Sequence, residues 1–112
     1  MADFTNPETH GVQANVQALI DRGFMALEDK DWNGADAFFE QVLNFDAKIA
    51  EAYLGKLLAD LKLSKKEELY GYSRPFDTNG NYQKAIRFGT DELKAELSEY
   101  CLHAKEKREA IR

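Results

Sequence analysis

A single cysteine, Cys101, leaves this chain unable to close a disulfide within itself, and nothing in it demands an oxidising compartment. Prolines number only two and glycines seven in 112 residues, which suits a helical protein. No apolar run approaches the roughly 18 to 20 residues that cross a bilayer, so membrane insertion is not expected. Basic residues are in the minority, 15 Lys and Arg against 20 Asp and Glu, for a net charge of -5. That balance argues against nucleic acid as a partner, because such binders cluster Lys and Arg. The opening "MADFTNPETH" is polar and acidic rather than signal-like, and the cytoplasm is the expected location.

What remains is a composition of 44% hydrophobic and 31% charged residues, that of a folded globular chain of one domain. Its apolar residues recur in steps of three and four. Val12, Val16, Leu19, Ile20, Phe24 and Leu27 mark a first helix after a flexible leader over 1–11, where Thr5 and Glu8 have the spacing of a capping box. Asp31 is the expected N-cap of a second helix carrying Trp32, Ala35, Phe38, Phe39, Val42 and Leu43. Asp46 is the expected cap of a third, carrying Ile49, Ala52, Tyr53, Leu57, Leu58 and Leu61. The pattern then stops. Ser64 and Glu67 predict a short capped turn to about Tyr70, followed by the loop "GYSRPFDTNGN". A fourth helix opens at Asn81, and Gly89-Thr90 predicts a break before a fifth over about Asp91 to Lys107.

The chain also resembles itself. "QALIDRGFMAL" (17–27) lies over "EAYLGKLLADL" (51–61) at an offset of 34, and "DWNGADAFF" (31–39) over "NYQKAIRFG" (81–89) at 50. The difference, 16 residues, falls between the two helices of the second unit, where the capped turn and Pro/Gly loop already stood. Residues 64–80 therefore read as a tolerant insertion, with Phe76 folding back to pin it.

With Gly23, "DWNGA", Phe39, the "LNFDA" turn and "AEAY", the stretch from Val16 to Phe88 resembles the tetratricopeptide (TPR) family. Trp32 with Ala35, and Tyr82 with Ala85, match the aromatic-x-x-Ala start of the family's second helix. Ala47 stands where the family usually has proline, and Leu57 where the first unit has Gly23. The combination with a lysine-rich insertion looks like bacterial TPR-like domains that occur beside zinc ribbons; no zinc ribbon is present here. The resemblance implies an all-α fold of two helix-turn-helix units, the second with its insertion, plus a C-terminal capping helix over a single domain, 12–112.

No reaction is written in the residues. Cys101 and His103 form a Cys-x-His pair, and His10 is the only other histidine, short of the four soft ligands of a structural zinc site. Two positions apart on a helix, Cys101 and His103 point in different directions, so neither activates the other. The acidic groups Glu28, Asp29 and Asp31, and Asp91, Glu92, Glu96 and Glu99, sit at expected caps and solvent faces. "GYSRPFDTNGN" has neither the spacing of a phosphate loop nor the acids of a calcium loop. Catalytic, cofactor and metal sites are therefore not expected, and the chain is not read as an enzyme.

The resemblance implies instead a protein-interaction module, in which the first helix of each unit lines a concave face. That face would carry Gln17, Ile20, Phe24, Glu51, Leu54 and Leu58, four of the six apolar. The Lys, Arg and Asn of the family's carboxylate clamp are missing, so a peptide or helix partner is expected to dock through apolar contact. An exposed apolar stripe tends to mark an interface; a C-terminal helix folded across it would make it core instead. The rival reading is a self-associating structural or spacer domain of a larger assembly, such as a homodimer. Packing is open to test. Ala35→Leu and Ala85→Leu should each overpack a close helix pair and cost about 1 to 3 kcal/mol in thermal melts; unchanged melting temperatures for both would undo the alignment.

Overall fold

The computed structural model describes residues 7–72 and 74–111, and the side chains of 15–72 and 74–107. These residues are all-helical, with no strand among them. In chain order stand α1 (Pro7–Glu28), α2 (Trp32–Phe45), α3 (Ala50–Leu61), a 3-10 helix (Lys66–Gly71), α4 (Gly80–Phe88) and α5 (Asp91–Ile111). α1 takes in residues 7–11, which the sequence read as leader. Proline suits a helix's first position, where its missing N–H costs nothing and its φ is preset. Thr5, the expected cap, lies outside the described residues.

Local chemistry explains most boundaries. Asp31 caps α2 as expected, its carboxylate accepting the Gly34 N–H at 3.0 Å. Asp46 does not cap α3. It accepts the Lys48 N–H at 2.9 Å and closes the interhelix turn, and α3 begins after Ile49 with no side-chain cap. Tyr53 ties that turn down, its hydroxyl donating to the Ala47 carbonyl at 2.7 Å. Asn79 accepts from the N–H groups of Asn81 and Tyr82, so α4 opens at Gly80. The break at Gly89-Thr90 is present, and the Thr90 hydroxyl accepts the Leu93 N–H at 3.1 Å to start α5, which runs on past Lys107.

α1 and α2 pack as one helical hairpin and α3 and α4 as a second, with α3 also against α2 and α1. The ring of Phe39, fully buried, sits between the first three helices. Gly23 of α1 faces it from one side and Gly55 of α3 from the other; a Cβ at either would come within 3.0 Å of three ring atoms. Phe24 closes a third side, edge-on at 5.1 Å between centroids. Ala35 and Ala85 are fully buried. Across the α2–α3 contact, Lys56 pairs with Asp36 at 3.5 Å and with Glu40, its side chain only 14% exposed.

The same two glycines correct the repeat register. Lys30 (φ 63°) and Lys62 (φ 58°) both take the left-handed conformation just past their helices. Lys30 and Asp31 donate to Leu27 and Ala26, and Lys62 and Leu63 donate to Ala59 and Leu58, the same doubled helix stop. Gly23 precedes Lys30 by seven residues, and Gly55 precedes Lys62 by seven. The first helices therefore repeat at 32, not 34. An apolar match tolerates such a slip here because α3 is apolar around most of its circumference, with Ala52, Tyr53, Leu54, Leu57, Leu58 and Ala59 all buried, so an apolar residue meets another at several offsets; a steric notch and a left-handed stop do not.

The insertion is not a peripheral loop. Leu69 is fully buried and Phe76 is 2% exposed, its ring edge-on to Tyr82 at 5.4 Å and to Tyr72 at 6.2 Å. The expected cap at Ser64 and Glu67 is replaced by Glu68, whose carboxylate accepts the N–H groups of Ser64 (2.6 Å) and Lys65 (3.1 Å). α5 packs against this segment and against α4. Leu97, Cys101 and Ala104 face inward, and Lys105 pairs with Asp77 at 2.8 Å. Removing Ser73 to Gly80 would expose this second core, so the segment is not expected to be dispensable.

The clamp on Phe39 generates the prediction here. Gly23→Ala and Gly55→Ala should each lower stability by about 1 to 3 kcal/mol, outweighing the roughly 1 kcal/mol that alanine gains in a helix. In a Phe39→Leu background the same changes should become neutral or favourable, read as coupling in a double-mutant cycle of denaturant melts.

Candidate functional site

The face expected to line a groove divides into core and rim. Ile20, Leu54 and Leu58 are buried, at 4%, 6% and 0% exposure, so no continuous exposed apolar stripe runs along it. Phe24 is half-buried, and Gln17 and Glu51 are exposed, Gln17 donating to Asp21 at 2.9 Å. The reason is position. α1 packs on α3 as well as on α2, which draws Ile20 and Leu58 inside. α5 does not supply the cover as the alternative supposed; it packs chiefly on the insertion and α4.

What this face offers is a groove whose far wall is the insertion. One cleft of about 370 Å³ lies between Phe24 and Glu28 on α1, Glu51 and Leu54 on α3, and residues 64–67. A second, of about 490 Å³, continues past Ile49 to Phe88, Thr90 and Leu93 at the α4–α5 corner. Glu51, Leu54 and Lys66 border both, so the two clefts adjoin across α3. Of the six residues read from sequence, Phe24, Glu51 and Leu54 line this groove; Ile20 and Leu58 lie in the core, and Gln17 does not line it. Lys65, Lys66, Glu67 and Leu93 were missed. Their segments lie outside the repeat match or beyond its end, and no periodicity in the chain points them at α1 or α3.

The insertion wall is held from two sides. Glu68 ties down its backbone, and Lys66 reaches Glu96 of α5 at 2.8 Å. The hydrogen bond from Lys66 holds the Glu96 carboxyl below its ordinary 4.5, with a further contribution from the Tyr100 hydroxyl, which donates to it at 3.1 Å. The groove thus has Phe24 and Leu54 at its floor and Glu28, Glu51, Lys65 and Glu67 around its rim.

The remaining chemistry-bearing residues lie elsewhere. Cys101 is buried on the inward face of α5. His103 stacks on Tyr70 at 3.8 Å, its Nδ1 2.6 Å from the Tyr70 carbonyl; that nitrogen must carry the hydrogen, since a carbonyl only accepts. His10's side chain lies outside the described residues. Among those described, no three of His, Cys, Asp and Glu converge as metal ligands would. The comparisons with known proteins add no assignment: no family model matches the chain, and no curated protein or solved structure is significantly similar to it.

The Lys66–Glu96 pair makes the wall sensitive to acid. A carboxyl whose pKa is lowered on folding contributes stability above its unfolded value and loses it as pH falls through the folded one. Protection of the 64–71 amides from hydrogen exchange should therefore fall below about pH 4.5. Glu96→Gln should show that weaker protection already at neutral pH, by a modest amount, because both partners remain partly open to solvent.

Proposed function

We propose that this chain is a non-enzymatic, TPR-like protein-interaction module that takes a peptide or helix in the groove between α1, α3 and the insertion. One observation carries the reading: a groove with the half-buried Phe24 and the buried Leu54 at its base and exposed Glu28, Glu51, Lys65 and Glu67 at its rim. Apolar anchoring within a polar rim is how protein surfaces take up a partner segment. Two helical hairpins stacked through small residues, Gly23, Gly55 and Ala35, support the TPR-like part of the reading. A cytoplasmic, bacterial setting without nucleic acid belongs to the same proposal.

A second reading, self-association as a structural or spacer domain, draws on a different face. On the α1–α2 hairpin, Phe45 is 50% exposed and borders a cleft of about 320 Å³ with Ala18, Leu19, Arg22 and Gln41, and Met25 on α1 is 60% exposed. An apolar edge of this kind would suit a neighbouring unit in an array.

The two readings separate by position. A photo-crosslinking residue at Glu51 should capture a distinct partner protein in the source cell, whereas one at exposed Glu106 should not. Dimers from Phe45 and none from Glu51, with sedimentation dropping to monomer in Phe45→Asp, would favour self-association and overturn the groove.

A further inference from the structure

The charges around the groove carry the reading one step further. Four exposed residues at its α1–α3 end make no ion pair among the described residues: Glu28, Glu51, Glu67 and Lys65. Lys66, the other cation there, is committed to Glu96. The uncommitted charge is three acids against one base. Helix stability accounts for Glu51, in the first turn of α3, and for Glu67, in the first turn of the 3-10 helix, since acids favour the positive N-terminal end. It does not account for Glu28. That residue ends α1, where the carbonyl end already carries partial negative charge and an acid is unfavourable. The carboxylate of Glu28 and the negative end of α1 thus add together beside Phe24, on the same cleft as Glu51.

Resting on the groove reading, we infer that the partner is an amphipathic peptide segment with Lys or Arg flanking its apolar anchors. The apolar residues seat on Phe24 and Leu54, and the cations lie along Glu28 and Glu51. Acidic or neutral segments of the same apolar pattern are disfavoured by the uncompensated carboxylates.

The test uses the full chain and two fluorescein-labelled helical peptides of four turns, with identical leucines at i, i+3 and i+7 and either Lys or Glu on the flanks. Anisotropy titrations should give the Lys peptide roughly tenfold or more tighter binding at low salt, narrowing as salt rises. Glu28→Lys with Glu51→Lys should reverse the order, whereas Glu92→Lys with Glu99→Lys on α5, the same change in net charge, should not. An equal effect from the α5 pair would mean that overall charge alone attracts the peptide, and the inference would fall. Equal affinity for both peptides, with amide shifts at Phe24 and Leu54 in each case, would overturn the charge preference while keeping the groove. Binding of neither peptide, or shifts confined to the Phe45 edge, would remove the groove reading and this inference together.

Discussion

The fold turns on one aromatic ring held between two missing side chains. Phe39 has room only because Gly23 and Gly55 carry no Cβ, so α1, α2 and α3 all meet at this ring. Burying a phenylalanine contributes about 2 to 3 kcal/mol, and the edge contact from Phe24 adds about 1. The geometric consequence matters more than the energy. With α1 and α3 both drawn onto α2, Ile20 and Leu58 are pulled into the core, while Phe24 is left half in and half out at the edge. A groove that begins at Phe24 follows from that spacing.

The second half of the molecule solves a different problem. Two hairpins are fewer than a stable stack of repeats requires, and their ends need cover. The insertion provides it by building a core of its own, with Leu69 and Phe76 buried and Tyr72 and Tyr82 around Phe76. α5 closes this core instead of crossing the face of α1 and α3. Polar contacts set its position: Lys105 to Asp77, Lys107 to the Gly71 carbonyl, and His103 to the Tyr70 carbonyl. Because α5 is engaged there, the groove stays open along one side, and the insertion serves as both core element and wall. The ion pairs at Lys56 and Lys66 have matching roles. One fastens α3 to α2, the other fastens the wall to α5.

Much of this was legible in the order of residues, because it depends on neighbours in the chain. Apolar steps of three and four specify a helix wherever it packs, and α1 to α5 follow them. Asp31 caps α2 and Thr90 starts α5 through bonds that span three residues. Ala35 and Ala85 are buried as their place after an aromatic residue implied. Asp46 was misread because an acid near a helix start can also serve the preceding turn, and the choice depends on where Ile49 lies. The repeat matches in sequence two residues away from its structural register, because α3 is apolar on most of its faces and pairs apolar residues at several offsets.

By itself, then, the sequence determined an acidic, all-helical chain, most of its helix boundaries, and which side chains are apolar enough to be buried. Those follow from backbone hydrogen bonding and spacing within a few residues. Only the tertiary structure decided which apolar side chains were covered and by what. Leu69 and Phe76 lie in segments without helical periodicity, and their burial depends on α4 and α5, which follow them in the chain. The groove likewise joins Phe24 to Lys65 and Leu54 to Leu93, residues far apart in sequence, and such closeness is set by how the helices pack around Phe39.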